Sequence, residues 1–365
     1  MIVKELLSKI ETHVPFYTAK SWDNVGLLIG DASQEVNRIM TCLDCTLEVV
    51  DEAIEAKVDT IVAHHPLIFK GVKSITEDGY GTIIRKLIKH DINLIALHTN
   101  LDVYEKGVNH MLASKLGLSD VKILNPQYED YYKVQVFIPK ENADDFKEAL
   151  SKEGIAKDGD YEYCFFQVEG NGQFRPVEGA DPYLGEIGKI ENVNELRMEF
   201  MIQEHERMKT EQLIYKHHPY ETPVFDFIRL DKEMTRGLGV IGELQEAKAV
   251  PGFVQDVKSQ LDMPSVRFIG DKRASIKKVA IIGGSGIGFE YKAKALGADI
   301  FITGDIKHHE ALDAKINGMN LLDINHYSEY VMKDGLKALL EDWLGKESSV
   351  SIVASTLNTD PYDYM

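Results

Sequence analysis

Val58-Asp59-Thr60-Ile61-Val62-Ala63-His64-His65-Pro66 decides how this chain is read. Thr60 to Ala63 is a short continuous apolar run, the pattern of a strand covered on both faces in a parallel sheet. It ends in two imidazoles and then in Pro66, which disfavours helix at His65 and stops the strand. Loops after such strands gather at one sheet edge, where α/β proteins place their chemistry. Adjacent histidines on an extended strand point to opposite faces. Both serve one site only if the chain bends there, or if two metals sit side by side.

Working outward, Arg38 to Leu43 reads as a strand and Leu47 to Lys57 as a helix. Gly81 to Lys89 is helical, and Ile92 to Leu97 is a third strand. It runs into His98-Thr99-Asn100-Leu101-Asp102, which sets Asp102 just past the same sheet edge. The last third of the chain repeats this plan. Arg38-Ile39 aligns with Lys278-Val279 and, without a gap, Val58 to Val62 aligns with Ala298 to Ile302. After a small length change, Asn93-Leu94-Ile95 falls on Asn320-Leu321-Leu322, and Asp102 falls on Glu329. His64 and His65 then correspond to Gly304 and Asp305. The expected fold class is α/β, with two similar halves, residues 1–125 and 233–365, forming one domain.

Residues 126–232 have another texture. Tyr132 to Ile138 alternates like a strand, and Glu141 to Lys152 reads as an amphipathic helix. Tyr161 to Val168 and Leu196 to Ile202 are strand-like, Gln203 to Tyr215 is helical, and Val224 to Leu230 is a last strand. Between them runs a glycine-rich loop, Gly170 to Gly188. This β-α-β-β-α-β order predicts a ferredoxin-like α+β domain inserted between the halves.

The chain has 365 residues, 44% hydrophobic, enough for two or three domains with real cores. Its 41 basic and 59 acidic residues give a net charge of −18. That balance repels nucleic acid and attracts cations. No apolar run reaches the roughly 18 residues that span a bilayer, and Glu5 and Glu11 interrupt any leader-like stretch. Three cysteines make no disulfide framework. We therefore expect a soluble cytoplasmic protein that contacts neither nucleic acid nor membrane.

The chemistry collects at the strand ends. His64, His65 and Asp102 follow strands of the first half, and His326 and Glu329 follow the matching strand of the second. His326 and Glu329 are spaced to share one face of a helix. Asp305, His308 and His309 follow the second strand there, and His98 precedes Asp102. Imidazoles and carboxylates suit zinc, manganese or iron. Five candidates, two of them carboxylates, exceed what one tetrahedral ion needs. Two divalent ions about 3.5 Å apart repel by on the order of 19 kcal/mol at an effective dielectric of about 20, so a pair requires bridging anions. We expect Asp102 to bridge, with His64 and Glu329 on one ion and His65 and His326 on the other.

These segments resemble the Nif-three-like dinuclear metal proteins of the YbgI/YqfO type, often labelled GTP cyclohydrolase I type 2 homologs. The resemblance is carried by Trp22 to Leu27, His64-His65-Pro66, His98 to Asp102, Thr303-Gly304-Asp305 with His308-His309, and His326 to Glu329. One departure is Asn325, where many relatives have glycine. The stretch Gly172 to Pro176, through Glu195 to Arg197, resembles the family's optional module of PII/CutA type. The resemblance implies metal ligands at His64, His65, Asp102, His326 and Glu329, two divalent ions per chain, and a ring-shaped homohexamer. It also implies a hydrolase of GTP cyclohydrolase type, with a small-molecule substrate. A non-catalytic metal-binding or effector-sensing protein is the alternative.

Other features carry less. Cys42-Leu43-Asp44-Cys45 has metal or redox spacing but no second pair. Gly283 to Gly288 opens a turn that is either a phosphate cradle or a plain tight turn. His217-His218-Pro219 repeats the first tripeptide without its company. His98 is expected to assist ligands or shuttle protons rather than ligate. Asp305, His308 and His309 are expected to orient ligands or touch substrate, the other reading of Asp305 being a helix start. Trp22 and Asn24 read as structural or pocket-wall residues; His13, His90, His110 and His205 read as ordinary surface or helix histidines.

Overall fold

Three short apolar strands, Arg38–Cys42, Thr60–Ala63 and Asn93–Ala96, lie side by side at the centre of the first sheet because they are buried on both faces, as central strands of parallel sheets are. A computed structural model describes the chain at residues 1–127, 131–230 and 236–365. The chain divides into two compact units, Met1–Pro126 with Thr235–Met365, and Gln127–Met234. The expected boundary between 232 and 233 lies outside the described residues.

In the first unit, Arg38–Cys42, Thr60–Ala63 and Asn93–Ala96 are parallel neighbours. Gly26–Ile29 joins Asn93–Ala96 antiparallel. The other edge is closed by Ser351–Ala354, a strand the sequence reading did not anticipate, parallel to Arg38–Cys42. The second sheet repeats the order. Ser275–Ile281, Ile300–Thr303 and Leu321–Asp323 are parallel neighbours. Arg267–Ile269 joins Leu321–Asp323 antiparallel, and Phe225–Ala249 joins Ser275–Ile281. Equivalent side chains make equivalent bonds. Asp59 Oδ2 accepts from the N–H groups of Asn37 and Arg38; Asp299 Oδ2 accepts from those of Lys277 and Lys278. Asn93 Oδ1 accepts from Asp31 N while its amide donates to Asp59 O, and Asn320 does the same with Asp271 and Asp299.

One continuous core joins residues of both sheets with the helices Val3–His13, Val250–Gln260 and Met332–Leu344. Leu6, Ile10, Val257, Leu336 and Leu340 are fully buried in it. At roughly 1.5–3 kcal/mol per buried large aliphatic side chain, this burial is what holds the two sheets together.

In the second unit, Tyr131–Pro139 pairs antiparallel with Glu191–Gln203, which pairs antiparallel with Phe166–Phe174. The helices Ala143–Lys152 and Arg207–His217 alternate with the strands in β-α-β-β-α-β order. The expected strand Tyr161 to Val168 is displaced. Tyr163 has φ +63°, which breaks extended backbone, and the strand starts at Phe166 and runs on into the glycine-rich segment. The core is Val134, Val136, Phe146, Leu150, Met198, Phe200 and Ile214 with their neighbours.

Candidate metal centre

The strand Thr60–Ala63 stops because the chain bends at His64 and His65, while both residues still donate backbone bonds to Cys42 O and Leu43 O. The bend brings both rings to one side, with centroids 5.1 Å apart, where a straight strand would have opposed them. Leu97 leaves the neighbouring strand, and His98 opens the short helix Thr99–Asp102. In the second half, Asn325 takes φ +66° and turns the chain into the helical segment His326–Val331. With ψ at 152° this is a conformation that glycine adopts with least cost, which accounts for glycine being acceptable there.

Three groups of side chains present converging donor atoms: His64, His65 and His98; His65, His326 and Glu329; His64, Asp102 and Glu329. Each imidazole is gripped on Nδ1 so that Nε2 is left for the centre. His64 Nδ1 donates to Leu97 O at 2.7 Å. His65 Nδ1 meets Asp44 Oδ1 at 2.6 Å, His98 Nδ1 meets Asp23 Oδ1 at 2.8 Å, and His326 Nδ1 meets Asp305 Oδ2 at 2.6 Å. Such partners fix tautomer and ring orientation in metal-binding histidines. The Nε2 atoms of His65, His326 and His64 lie 3.2, 3.3 and 3.8 Å from Glu329 Oε2, and His64 Nε2 lies 3.5 Å from Asp102 Oδ1.

Two observations test whether these residues fit a cation. His64 Nε2 is fully buried and has no hydrogen-bond partner. With Nδ1–H committed to Leu97, its lone pair faces the oxygens of Asp102 and Glu329, a repulsive arrangement that a cation between them would reverse. Burial, the largest effect, lowers the His64 pKa to about 3 against the pull of Glu329, so the ring is a neutral donor. His65 and His326 behave in the opposite sense. Burial works to lower His65, but Asp44 and Glu329 on its two nitrogens hold it up to about 10. The Glu329 hydrogen bond raises His326 to about 9 against burial. Burial first, then the Glu329 charge, pushes the Asp102 carboxyl well above its ordinary range. The buried Glu329 carboxylate, with Asp44 and Asp305 behind it, draws positive charge onto His65 and His326, which is the chemistry of a cation site. The residues fit a metal ion.

Glu329 is nearly buried, and its approach depends on the glycine turn behind it. Gly284 has φ +59°, and a Cβ there would stand 2.7 Å from Glu329 Oε1. The turn is not a phosphate cradle: Gly283 N donates to Asn109 Oδ1, Gly286 N to Thr303 Oγ1 and Gly288 N to Glu290. On the other side, His65 and His326 border a cavity of about 530 Å³, also lined by Asp44, Tyr80, Asp305, Tyr327, Thr359 and Tyr362. The centre is therefore closed behind His64 and Glu329 and open beside His326.

The structure brings together His64, His65, Asp102, His326 and Glu329, with His98 beside the first two. Glu329 belongs to two of the groups and Asp102 to one. Asp305 orients His326 and starts no helix; at the start of the next helix, His308–Ile316, Glu310 Oε2 accepts from the Lys307 N–H. His308 and His309 are not at the centre. They are exposed on that helix's first turn, pack edge-on against each other, and neither joins a candidate group nor lines the cavity. Asp44 and Asp23 were missed. Asp44 lay between two cysteines that drew attention to themselves, and burial keeps those thiols neutral, with Cys45 pushed up to about 12. Asp23 also holds the Thr99 N–H, so it braces the start of the Asp102 helix. Trp22 lies edge-on to His98 and tilted against Phe69, and Asn24 holds Ile68 O. His218 of the second tripeptide cannot ligate, since Nε2 donates to Phe137 O and Nδ1 accepts from Tyr220 N. His13 stacks on Trp343.

Fold and cluster together define an α/β protein with a histidine–carboxylate centre able to hold a metal ion. No helix among the described residues is long and apolar enough to cross a membrane. The chain belongs to the Duf34/NIF3 (NGG1p interacting factor 3) family, whose model matches residues 1–361. A Staphylococcus epidermidis protein named GTP cyclohydrolase 1 type 2 homolog is 60% identical over 365 residues, covering 100% of both chains. A Staphylococcus aureus protein of the same name is 58% identical over 366 residues, again covering 100% of both. Among solved structures, a Staphylococcus aureus protein superposes with TM-score 0.87 at 55% identity, over 100% of this chain and 99% of that one. A Bacillus cereus protein related to NIF3 gives TM-score 0.80 at 39% identity over the same shares.

Proposed function

We propose that this protein is a metal-dependent hydrolase of GTP cyclohydrolase type 2-like class, with two divalent ions per chain held by His64, His65, Asp102, His326 and Glu329. The carrying observation is the set of Nδ1-anchored imidazoles whose Nε2 atoms converge on Glu329. Zinc, manganese or iron would supply an acidified water and a polarised electrophile. The chain's own part is to hold the ligands rigid through Leu97, Asp44 and Asp305, and to keep the His64 side dry. The substrate enters from the open side, past Tyr80, Tyr327 and Tyr362. His98, held by Asp23, stands beside His64 and His65 as a proton carrier.

The same reading makes residues 1–125 and 233–365 duplicated halves of the metal domain; the matched bonds of Asp59 and Asp299 support this. Residues 126–232 are then the PII/CutA-like insert, the assembly a toroidal homohexamer, and the location cytoplasmic. The test supplies metal-loaded protein with GTP and a panel of phosphoesters. Turnover that disappears in His65→Ala and Asp102→Ala supports the hydrolase; absence of any such turnover ends it for those substrates. The second reading, a non-catalytic metal-binding or effector-sensing protein, is favoured by a separate cavity in Gln127–Met234.

A further inference from the structure

That cavity, of about 370 Å³, lies wholly within the second unit. Its construction starts at the second His-His-Pro tripeptide. The helix Arg207–His217 ends at His218, which is buried with both ring nitrogens bound to backbone. Pro219 then delivers Tyr220 to the cavity wall. Phe174 lies edge-on to the Tyr220 ring with centroids 5.8 Å apart, and Tyr183 is tilted against it at 6.3 Å. The Tyr220 hydroxyl donates to Glu195 Oε1 at 2.8 Å. Burial, then that carboxylate, raises the phenol pKa, so the hydroxyl stays a donor.

The Glu195 side chain lies over Gly172, two residues along the neighbouring strand from its paired position Gly170. A Cβ on Gly172 would stand 2.2 Å from Glu195 Oε2, so a larger residue there would shift the carboxylate from its present place. Tyr220 takes one carboxylate oxygen, and among the described residues no lysine, arginine or histidine forms an ion pair with Glu195. The second carboxylate of the wall, Glu221, is capped by the Asp181 N–H. Arg175 is the only basic residue among those lining the cavity, and it is exposed.

We propose that this cavity binds an organic cation, an amine- or amidine-bearing small molecule whose charge pairs with Glu195 and whose body packs on Tyr220, Tyr183 and Phe174. A carboxylate beside aromatic faces attracts such a cation through both charge and ring quadrupoles. The apolar walls reward a carbon skeleton, whereas a hydrated calcium or magnesium ion needs six or more oxygens around it. An anion would meet two carboxylates against Arg175 alone.

The test titrates the full-length protein with benzamidine by calorimetry, beside neutral benzyl alcohol and anionic benzoate. Benzamidine binds saturably at a single class of sites, unchanged in His65→Ala, which keeps this site separate from the metal centre. Glu195→Gln, which preserves the Tyr220 contact, weakens it about tenfold or more, and Arg175→Ala leaves it intact or tighter. NMR resonances of Tyr183 and Tyr220 shift with the titration, a readout that does not depend on any variant folding. The proposal is overturned by absence of saturable benzamidine binding, by equal binding of benzoate or benzyl alcohol, or by a folded Glu195→Gln that binds as the wild type does.

Discussion

Replacing Glu329 by glutamine keeps its shape and removes its charge. Oε2 faces His65, His326 and His64 at 3.2, 3.3 and 3.8 Å, and the residue belongs to two of the three candidate groups. A carboxylate oxygen at about 2.1 Å attracts a divalent ion by about 16 kcal/mol at an effective dielectric of about 20. Desolvation cancels most of this. If about a quarter survives, about 4 kcal/mol, affinity falls about a thousandfold. Both groups that contain Glu329 lose it together, whereas His326→Ala touches one and leaves His64 with Asp102 and Glu329. Metal content per chain is measured by mass spectrometry after gel filtration, with circular dichroism reporting the fold. The expected order is wild type, then His326→Ala, then Glu329→Gln with essentially none. A natively folded Glu329→Gln that retains wild-type metal content would refute the reasoning.

Asp44→Asn loosens His65 without touching a candidate ligand, and lowers affinity at the His65–His326–Glu329 group by about 10–100-fold; a competition titration with a chromophoric chelator reads it. In the metal-free chain, His65 at about 10 and His326 at about 9 lie above the ordinary 6.5. Their protonated forms thus stabilise the fold fully below about pH 6.5, and that contribution is lost as pH rises through about 9 to 10. Thermal melts of chelator-treated protein should fall across that window, and calorimetry at neutral pH should show protons released on metal binding. Asp59→Ala and Asp299→Ala each free two backbone N–H groups, so each should cost about 1–3 kcal/mol in urea denaturation. A large cost at one and none at the other would remove the support they lend to duplication.

Much of the centre was legible because a strand buried on both faces announces itself. Thr60–Ala63 carries no polar residue but Thr60, so His64 and His65 stand out at its end. The same contrast marks Asp102 and Glu329. What escaped notice had no such contrast. Asp44 sits in a bend and Asp23 at the end of a turn, and their partners His65 and His98 are distant in sequence. Ser351–Ala354 is short, and it is covered only through its tertiary neighbours, the strand Arg38–Cys42 and the helix Met332–Leu344. His308 and His309 looked equivalent to the true cluster because a sequence cannot say which way an exposed first turn faces.

Local pattern alone determined the alternation of strands and helices, the separate texture of the middle segment, and which strand ends carry imidazole and carboxylate, since apolar period and chain-breaking residues act within a few positions. Only the tertiary structure decided that Glu329 stands between three histidines, that His64 Nε2 is left without a partner, and that Asp44, Asp23 and Asp305 grip the rings. Those outcomes depend on distances between side chains from separate strands. Such distances are set by how two sheets pack around one shared core.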